Sequence, residues 1–317
     1  MLKRLFLVIL LAVVAAGCAR NAALRQHGAQ PIALAKSPQT RTVSSFNRVT
    51  VTGTVNVNLH TGYSKPQVIL SGDPRALAQT TTVVQNNTLI IQVPNNQFGS
   101  VNADIRGRFL NGFTYTGSGR ITGQHLRSGL LDLIITNSGR TTLAGDINLR
   151  RLEVNGEGYV EIKGVKAQNL QLAMTGNPKV QLVGVVGLSD LIIDGDGSFS
   201  MYWIKSNRLV IRARGHSFLQ LGGIVDKLDV ELWDSSRFNG RYLRARRSFV
   251  KTHGRSVAEI TAIEKQHTLA MDASDIYFFK IPDMKMDFMA NNGSVLDMRD
   301  WNIDDLRDYD RYNKQTY

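Results

Sequence analysis

The sequence is poor in residues that staple, coordinate or catalyse. A single Cys in 317 residues excludes an internal disulfide framework and any Cys-based zinc site. The six His (His27, His60, His125, His216, His253 and His267) form no HExxH motif and no close pair of ligand character. A GxSxG elbow, a Walker-type loop and a dinucleotide fingerprint are all missing. No cofactor and no metal are therefore expected, and no motif supplies a catalytic residue. Charge is sparse at 20%, but 43% of the residues are hydrophobic, which rules out a disordered chain. The length suits one long domain or two ordinary ones.

A clear apolar run occupies residues 5–16, after Lys3 and Arg4 and before Gly17 and Cys18. It falls short of the roughly 20 apolar residues of a spanning helix, and its order of basic, apolar and small residues is that of a signal peptide. The stretch Ala15-Ala16-Gly17-Cys18 resembles a bacterial lipobox, which implies cleavage after residue 17 and lipidation of Cys18. An ordinary secretory signal is the alternative, but the lone Cys stands where lipidation would use it. In that lipoprotein pattern Ala19 implies sorting to the outer membrane of a Gram-negative cell. Residues 18–42 lack a sustained apolar period and read as a tether.

Without residues 1–17 the net charge falls from +12 to +10, because Lys3 and Arg4 leave with no acid. The excess lies next to the anchor. From Cys18 to Leu130 eleven bases meet only Asp73 and Asp104, whereas the remainder is nearly balanced. Such a field suits an anionic glycan or lipid head group. Nucleic acid is not expected, since no binding motif accompanies the charge.

Small-residue turns recur along most of the chain. Measured at Gly119, Gly139, Gly158, Gly176, Gly197, Gly215, Asp234, Gly254, Ser274 and Gly293, the steps lie between 18 and 21 residues and define a repeat of about 19. Between turns the apolar residues alternate, as in Leu131-Leu133-Ile135, Leu170-Leu172-Met174 and Leu228-Val230-Leu232, which is the pattern of half-buried strands. Strands this short cannot bury an apolar face alone, but stacked coils align like with like. An all-β parallel β-helix with coils of about 19 residues and capped ends is predicted. An antiparallel sandwich or barrel has no reason to keep one fixed period. Residues 46–93 read as the cap and first coils, with a helical or turn segment after Ser71-Gly72-Asp73-Pro74. Residues 297–317, with Trp301, Ile303, Leu306 and Tyr309 among acids, read as a C-terminal cap or strap over the last sheet edge.

The order Phe46, Val49, Val51, Gly53, Val55, Val57, Gly62, Val68, Leu70, Gly72, Asp73, Leu89 and Ile91, followed by Gly-Ser-Gly turns, resembles the bacterial head GIN domain family. The family is autotransporter-adhesin-like and of unknown molecular function. The resemblance covers residues 43–296 and implies a right-handed β-helix on a secreted or lipid-anchored protein. It implies no catalytic residue.

Candidate binding residues are the aromatics Tyr202, Trp203, Trp233 and Tyr242 on successive coils, with Tyr159 below them, and the basic run Arg241, Arg244, Arg246 and Arg247. Aromatic faces suit sugar rings or another protein. Tyr277, Phe278, Phe279, Met284, Met286, Phe288 and Met289 form an apolar cluster suited to packing the cap or to association, so an oligomer is a further expectation. The enzymatic alternative is a polysaccharide-acting β-helix using Asp194 and Asp196 as paired carboxylates; turn chemistry is the competing explanation of Asp-Gly-Asp-Gly. The sequence thus predicts a non-enzymatic envelope lipoprotein for adhesion or scaffolding, with envelope glycan, lipid head group or protein as partner.

Overall fold

The computed structural model describes residues 38–94 and 98–298. The signal segment, Cys18, most of the tether, and Trp301, Ile303, Leu306 and Tyr309 of the C-terminal segment lie outside the described residues.

Alternating apolar residues build a parallel β-solenoid of about 9 turns. Its body consists of β8 (Leu110–Gly117), β9 (Ile121–Asn137), β10 (Arg140–Gly156), β11 (Tyr159–Gly176), β12 (Lys179–Gly195), β13 (Ser198–Arg214), β14 (Phe218–Leu232), β15 (Arg237–Thr252) and β16 (Val257–Met271). Each pairs in parallel with its neighbours in sequence. From β9 onward each strand is one whole coil, bent at register breaks.

The register stacks equivalent residues. One inward ladder runs Ile121, Thr141, Val160, Val180, Phe199, Leu219, Phe238, Ala258, Ile276 and Val295. Its steps stay nearly constant up to Ala258 and shorten only slightly beyond it, so the ladder marks the repeat more evenly than the turn residues do. A second ladder runs Phe113, Leu133, Leu152, Leu172, Leu191, Ile211, Val230 and Val250, and all of its members are buried. Each such side chain contributes about 1.5–3 kcal/mol on burial, so the stacked ladders are the main source of cohesion. The chain closes with β17 (Asp275–Phe278), β18 (Lys285–Asn291) and β19 (Ser294–Asp297), which continue the parallel pairing.

The first coils are not in chain order. β2 (Arg48–Gly53) and β3 (Val55–His60) form a coil that lies between two later ones. On one side are β6 (Thr88–Gln92) and β7 (Val101–Arg106); on the other are β8 and the start of β9. The end is then covered by antiparallel strands: β5 (Thr81–Gln85) on β6, β4 (Gln67–Ser71) on β7, and β1 (Gln39–Thr42) on β4. β1 falls within the stretch read from sequence as tether; it is held by its pairing with β4 and by Arg41. That guanidinium donates to the carbonyls of Thr80 and Leu77 at 2.8 and 3.1 Å and to Thr82 Oγ1 at 2.7 Å. It thereby caps the C-terminus of α1 (Pro74–Gln79), whose N-cap Asp73 accepts from the Arg75 backbone N–H. This six-residue helix is the segment predicted after Ser71-Gly72-Asp73-Pro74.

Towards the other end the core turns polar. The stack Leu209, Leu228 continues through Ser248 and Gln266 to Met286. Ser248 and Gln266 are buried, and the Ser248 hydroxyl and both Gln266 amide atoms lack a hydrogen-bond partner. Gln266→Met keeps the volume and removes the unpaired amide, so it is expected to stabilise the fold by about 1–3 kcal/mol, read as a rise in the urea midpoint. Gly164 supplies the opposite test. Its φ is +75° and an added Cβ would lie 1.9 Å from the Gly145 carbonyl oxygen. Gly164→Ala is expected to cost more than about 2 kcal/mol in the same measurement.

Candidate functional site

The strongest local anomaly lies on the corner just beyond the ladder Gly123, Leu143, Ile162, Leu182, Met201, Leu221. The backbone there takes positive φ in six successive coils, at His125, Gly145, Gly164, Gly184, Trp203 and Gly223. Glycine adopts such angles without a steric cost, whereas a Cβ-bearing residue pays about 1–2 kcal/mol. Trp203 sits at φ +70° and is 74% exposed. The strain is thus not offset by burying the indole. Around it, Val183, Val185, Tyr202 and Ile224 are also exposed, giving an apolar ridge across three coils. Tyr242 belongs to the same place: Gly222 pairs with Tyr242 and its hypothetical Cβ would meet the Tyr202 ring at 2.9 Å. Burial, with a smaller contribution from Tyr242, raises the Tyr202 pKa above its ordinary value. Lys205 pairs with Ile224 and has no acidic partner among the described residues.

Trp233 is elsewhere. It stands at a different corner, stacked on the His253 ring at 5.8 Å and 9°, with the Arg214 guanidinium 4.9 Å from its centroid. Ile192, Asp194, Arg212 and Arg214 line a shallow groove beside it. The basic run is mostly tied to neighbouring coils. Arg246 reaches Asp226 and Glu264 at 3.6 Å each, Arg247 reaches Glu264 at 3.8 Å, and Arg241 covers the Phe279 ring. Arg244 pairs with Ile224 and Thr261 in the ladder, next to the ridge. Tyr159 is half-buried beneath Arg140. The single aromatic and basic surface read from sequence therefore divides into a ridge at Tyr202, Trp203 and Tyr242, a stacked site at Trp233, and inter-coil ion pairs. The periodicity puts all of them on successive coils, but it does not say which corner each occupies.

Asp196 accepts the His216 backbone N–H at 3.0 Å and lies 3.2 Å from its ring Nδ1. Asp234 and Asp272 likewise accept turn N–H groups, from Gly215 and Gly254. The His216 hydrogen bonds hold the Asp196 carboxyl below its ordinary pKa, the opposite of the elevated value a general acid at neutral pH requires. Asp194 is an exposed strand residue in register with Arg214. Among the described residues no group of three or more His, Cys, Asp or Glu is placed to hold a metal. In the apolar C-terminal cluster Phe278, Phe279 and Met284 are buried, whereas Phe288 and Met289 are exposed.

Sequence reasoning missed a polar groove of about 350 Å³ on the outward face of β4, β7, β3 and β9, lined by Asn56, Asn58, Asn102, Asp104, Arg120 and Thr122 among others. The groove is cross-braced. Asn56 Nδ2 donates to Asn102 Oδ1 at 2.9 Å, Thr122 Oγ1 to Asn58 Oδ1 at 3.1 Å, and Arg106 Nε to Asp104 Oδ1 at 2.7 Å, while His60 Nε2 lies 3.1 Å from Asp104 Oδ2. The signal was the alternation of Asn56-x-Asn58-x-His60 and Asn102-x-Asp104-x-Arg106. Nothing in the sequence says that these two strands are neighbours.

Fold and surface together define a β-solenoid with a largely aliphatic interior and exposed aromatic and polar features on its outside. The chain belongs to the family described as "Putative auto-transporter adhesin, head GIN domain", whose profile matches residues 45–187 and 147–282. The two matches overlap, as a repeated coil allows. No curated protein matches the sequence. Among solved structures, a "putative adhesin" from Parabacteroides merdae is similar at 14% identity and TM-score 0.47, over 82% of this chain and 95% of that one. A "putative adhesin" from Parabacteroides distasonis aligns at 13% identity and TM-score 0.47, over 82% and 96%. A "putative lipid binding protein" from the same species aligns at 15% and 0.43, over 82% and 97%.

Trp203→Gly restores the residue type used at Gly145, Gly164, Gly184 and Gly223 of this corner. It is expected to stabilise the fold by about 1 kcal/mol, measured as a higher midpoint of thermal unfolding; a lower midpoint would mean that the indole contributes to stability.

Proposed function

We propose that the protein is a non-enzymatic lipoprotein of the Gram-negative outer membrane that presents its solenoid for adhesion or scaffolding. The observation that carries this reading is Trp203, a large exposed aromatic held in a strained conformation at the centre of an apolar ridge. Strain retained without burial is characteristic of positions kept for contact with something else. Exposed apolar patches with polar surroundings mark interaction surfaces, and family membership agrees with a surface role. Cys18 supplies the anchor: each buried CH₂ of an acyl chain contributes about 0.8 kcal/mol, so a multiply acylated Cys18 holds the domain at the membrane. The basic N-terminal half then lies close to anionic head groups. The Asp194/Asp196 enzyme alternative finds no support in the low pKa and turn bonding of Asp196.

Cys18→Ser is expected to move the protein from the membrane to the soluble fraction and to abolish palmitate labelling. Protease applied to whole cells is expected to remove the domain without permeabilisation. Protection until the outer membrane is opened would overturn the adhesive reading in favour of a periplasmic scaffold.

A further inference from the structure

We infer that the polar groove at the N-terminal end of the solenoid is a binding site for an acidic saccharide. The inference rests on the reading that the solenoid is a binding protein, but it stands on residues remote in sequence from the Trp203 ridge and names the ligand class.

The groove has a small-molecule volume, and its side chains are already set. Asn56 and Asn58 on β3 and Asn102 and Asp104 on β7 project from paired strands, and the hydrogen bonds among them fix their orientation before any ligand arrives. Sites held this way lose little freedom on binding. Bonding capacity remains. Asn56 and Asn58 direct their amide nitrogens to two partners each and accept one bond each, which leaves each an acceptor lone pair, and Asn102 accepts from Asn56 and keeps its N–H donors. A surface of paired donors and acceptors matches a ring of hydroxyl groups, each of which both gives and accepts a proton. Between these polar groups the lining includes carbon surface from Val57, Ile69 and Ala103, against which the C–H face of a sugar ring can lie.

Charge narrows the class further. Asp104 is neutralised by Arg106 at 2.7 Å. Arg120 lines the same groove, is exposed, and has no acidic partner among the described residues. Its backbone N–H donates to Asn56 Oδ1 at 2.9 Å, which fixes the root of the side chain against the amide row. One unpaired guanidinium beside a polyol-binding row suits a sugar carboxylate, which it can engage through two N–H groups. The excess of basic residues in this half of the chain favours the same sign of ligand.

The test is calorimetric titration of the full-length protein in detergent with tetragalacturonate and with its neutral counterpart, galactotetraose. Saturable binding of the acidic oligosaccharide is expected, with the neutral one weaker by about tenfold or more, the equivalent of one charge-assisted contact. Arg120→Gln should erase that preference at an unchanged melting temperature, and Asn102→Ala should weaken both ligands. No saturable binding of either oligosaccharide, or a charge preference that survives Arg120→Gln, would overturn the proposal. Equal binding of both oligosaccharides by Asn102→Ala and by the unaltered protein would also overturn it, by moving the ligand out of the groove. The outcome is independent of which side of the outer membrane the domain faces, so it can fail while the adhesive reading stands.

Discussion

Parallel hydrogen bonding between successive coils forces each side chain onto its equivalent one coil away, and the rest of the structure depends on that enforced stacking. Inward positions must be compatible with themselves in three dimensions, and aliphatic residues are. The ladder from Phe113 to Val250 is an unbroken column of Phe, Leu, Ile and Val. Outward positions are stacked in the same way but are less constrained, because solvent screens them. Some bases are bridged to acids on neighbouring coils, as when Arg246 reaches Asp226 and Glu264, or Lys166 meets Asp146 at 2.8 Å. Arg208, Lys227, Arg247, Lys265 and Lys285, however, stack base on base, an arrangement that like-charge repulsion disfavours and that exposure to solvent makes tolerable. Exposed ion pairs contribute at most about 1 kcal/mol each. Register is set from the inside, because a slip by a single position would turn every inward residue out.

Corners are where the stacking rule is hardest to satisfy. The chain must turn while the coil below presents a carbonyl oxygen at the turning point, and glycine solves both problems at Gly145, Gly164, Gly184 and Gly223. Departures from glycine are consequently informative. His125 opens the column and Trp203 interrupts it, and at Trp203 the pairing between Leu182 and Val186 is broken as well. The backbone there has given up hydrogen bonds and a favourable conformation in one place, and an indole in solvent is what results.

The fold was legible in the sequence because its signals repeat. A fixed coil length, strands alternating at two, and turn glycines reinforce each other over many coils, so single exceptions such as Asp234 or Ser274 do not hide the pattern. The helix after Asp73-Pro74 was legible for a local reason, since cap and first-turn Pro are adjacent in sequence. What repetition could not reveal is adjacency that breaks the repeat. The groove needs β3 beside β7, and these are neighbours only because the chain reverses through β4, α1, β5 and β6 before resuming. The aromatics met a different limit. Tyr202, Trp203 and Trp233 lie on successive coils, but a coil has several corners, and Trp233 falls about half a coil beyond Gly223, the equivalent of Trp203.

The displaced first coil also gives the molecule a direction of growth. Arg48 pairs with Thr88 on one side and with Gly112 on the other, so the coil that starts the chain finds its second neighbour only after more than three coil lengths of intervening sequence. Closing that span instead of a single coil costs about 1 kcal/mol more in chain entropy, a small thermodynamic penalty with a large effect on timing. As a chain emerges N-terminus first, this end stays open until β8 arrives and then locks with both faces satisfied. Every later coil has a finished template and needs only the stretch of chain that forms it. On a chain supplied N-terminus first, the earliest closed template is therefore this end of the column.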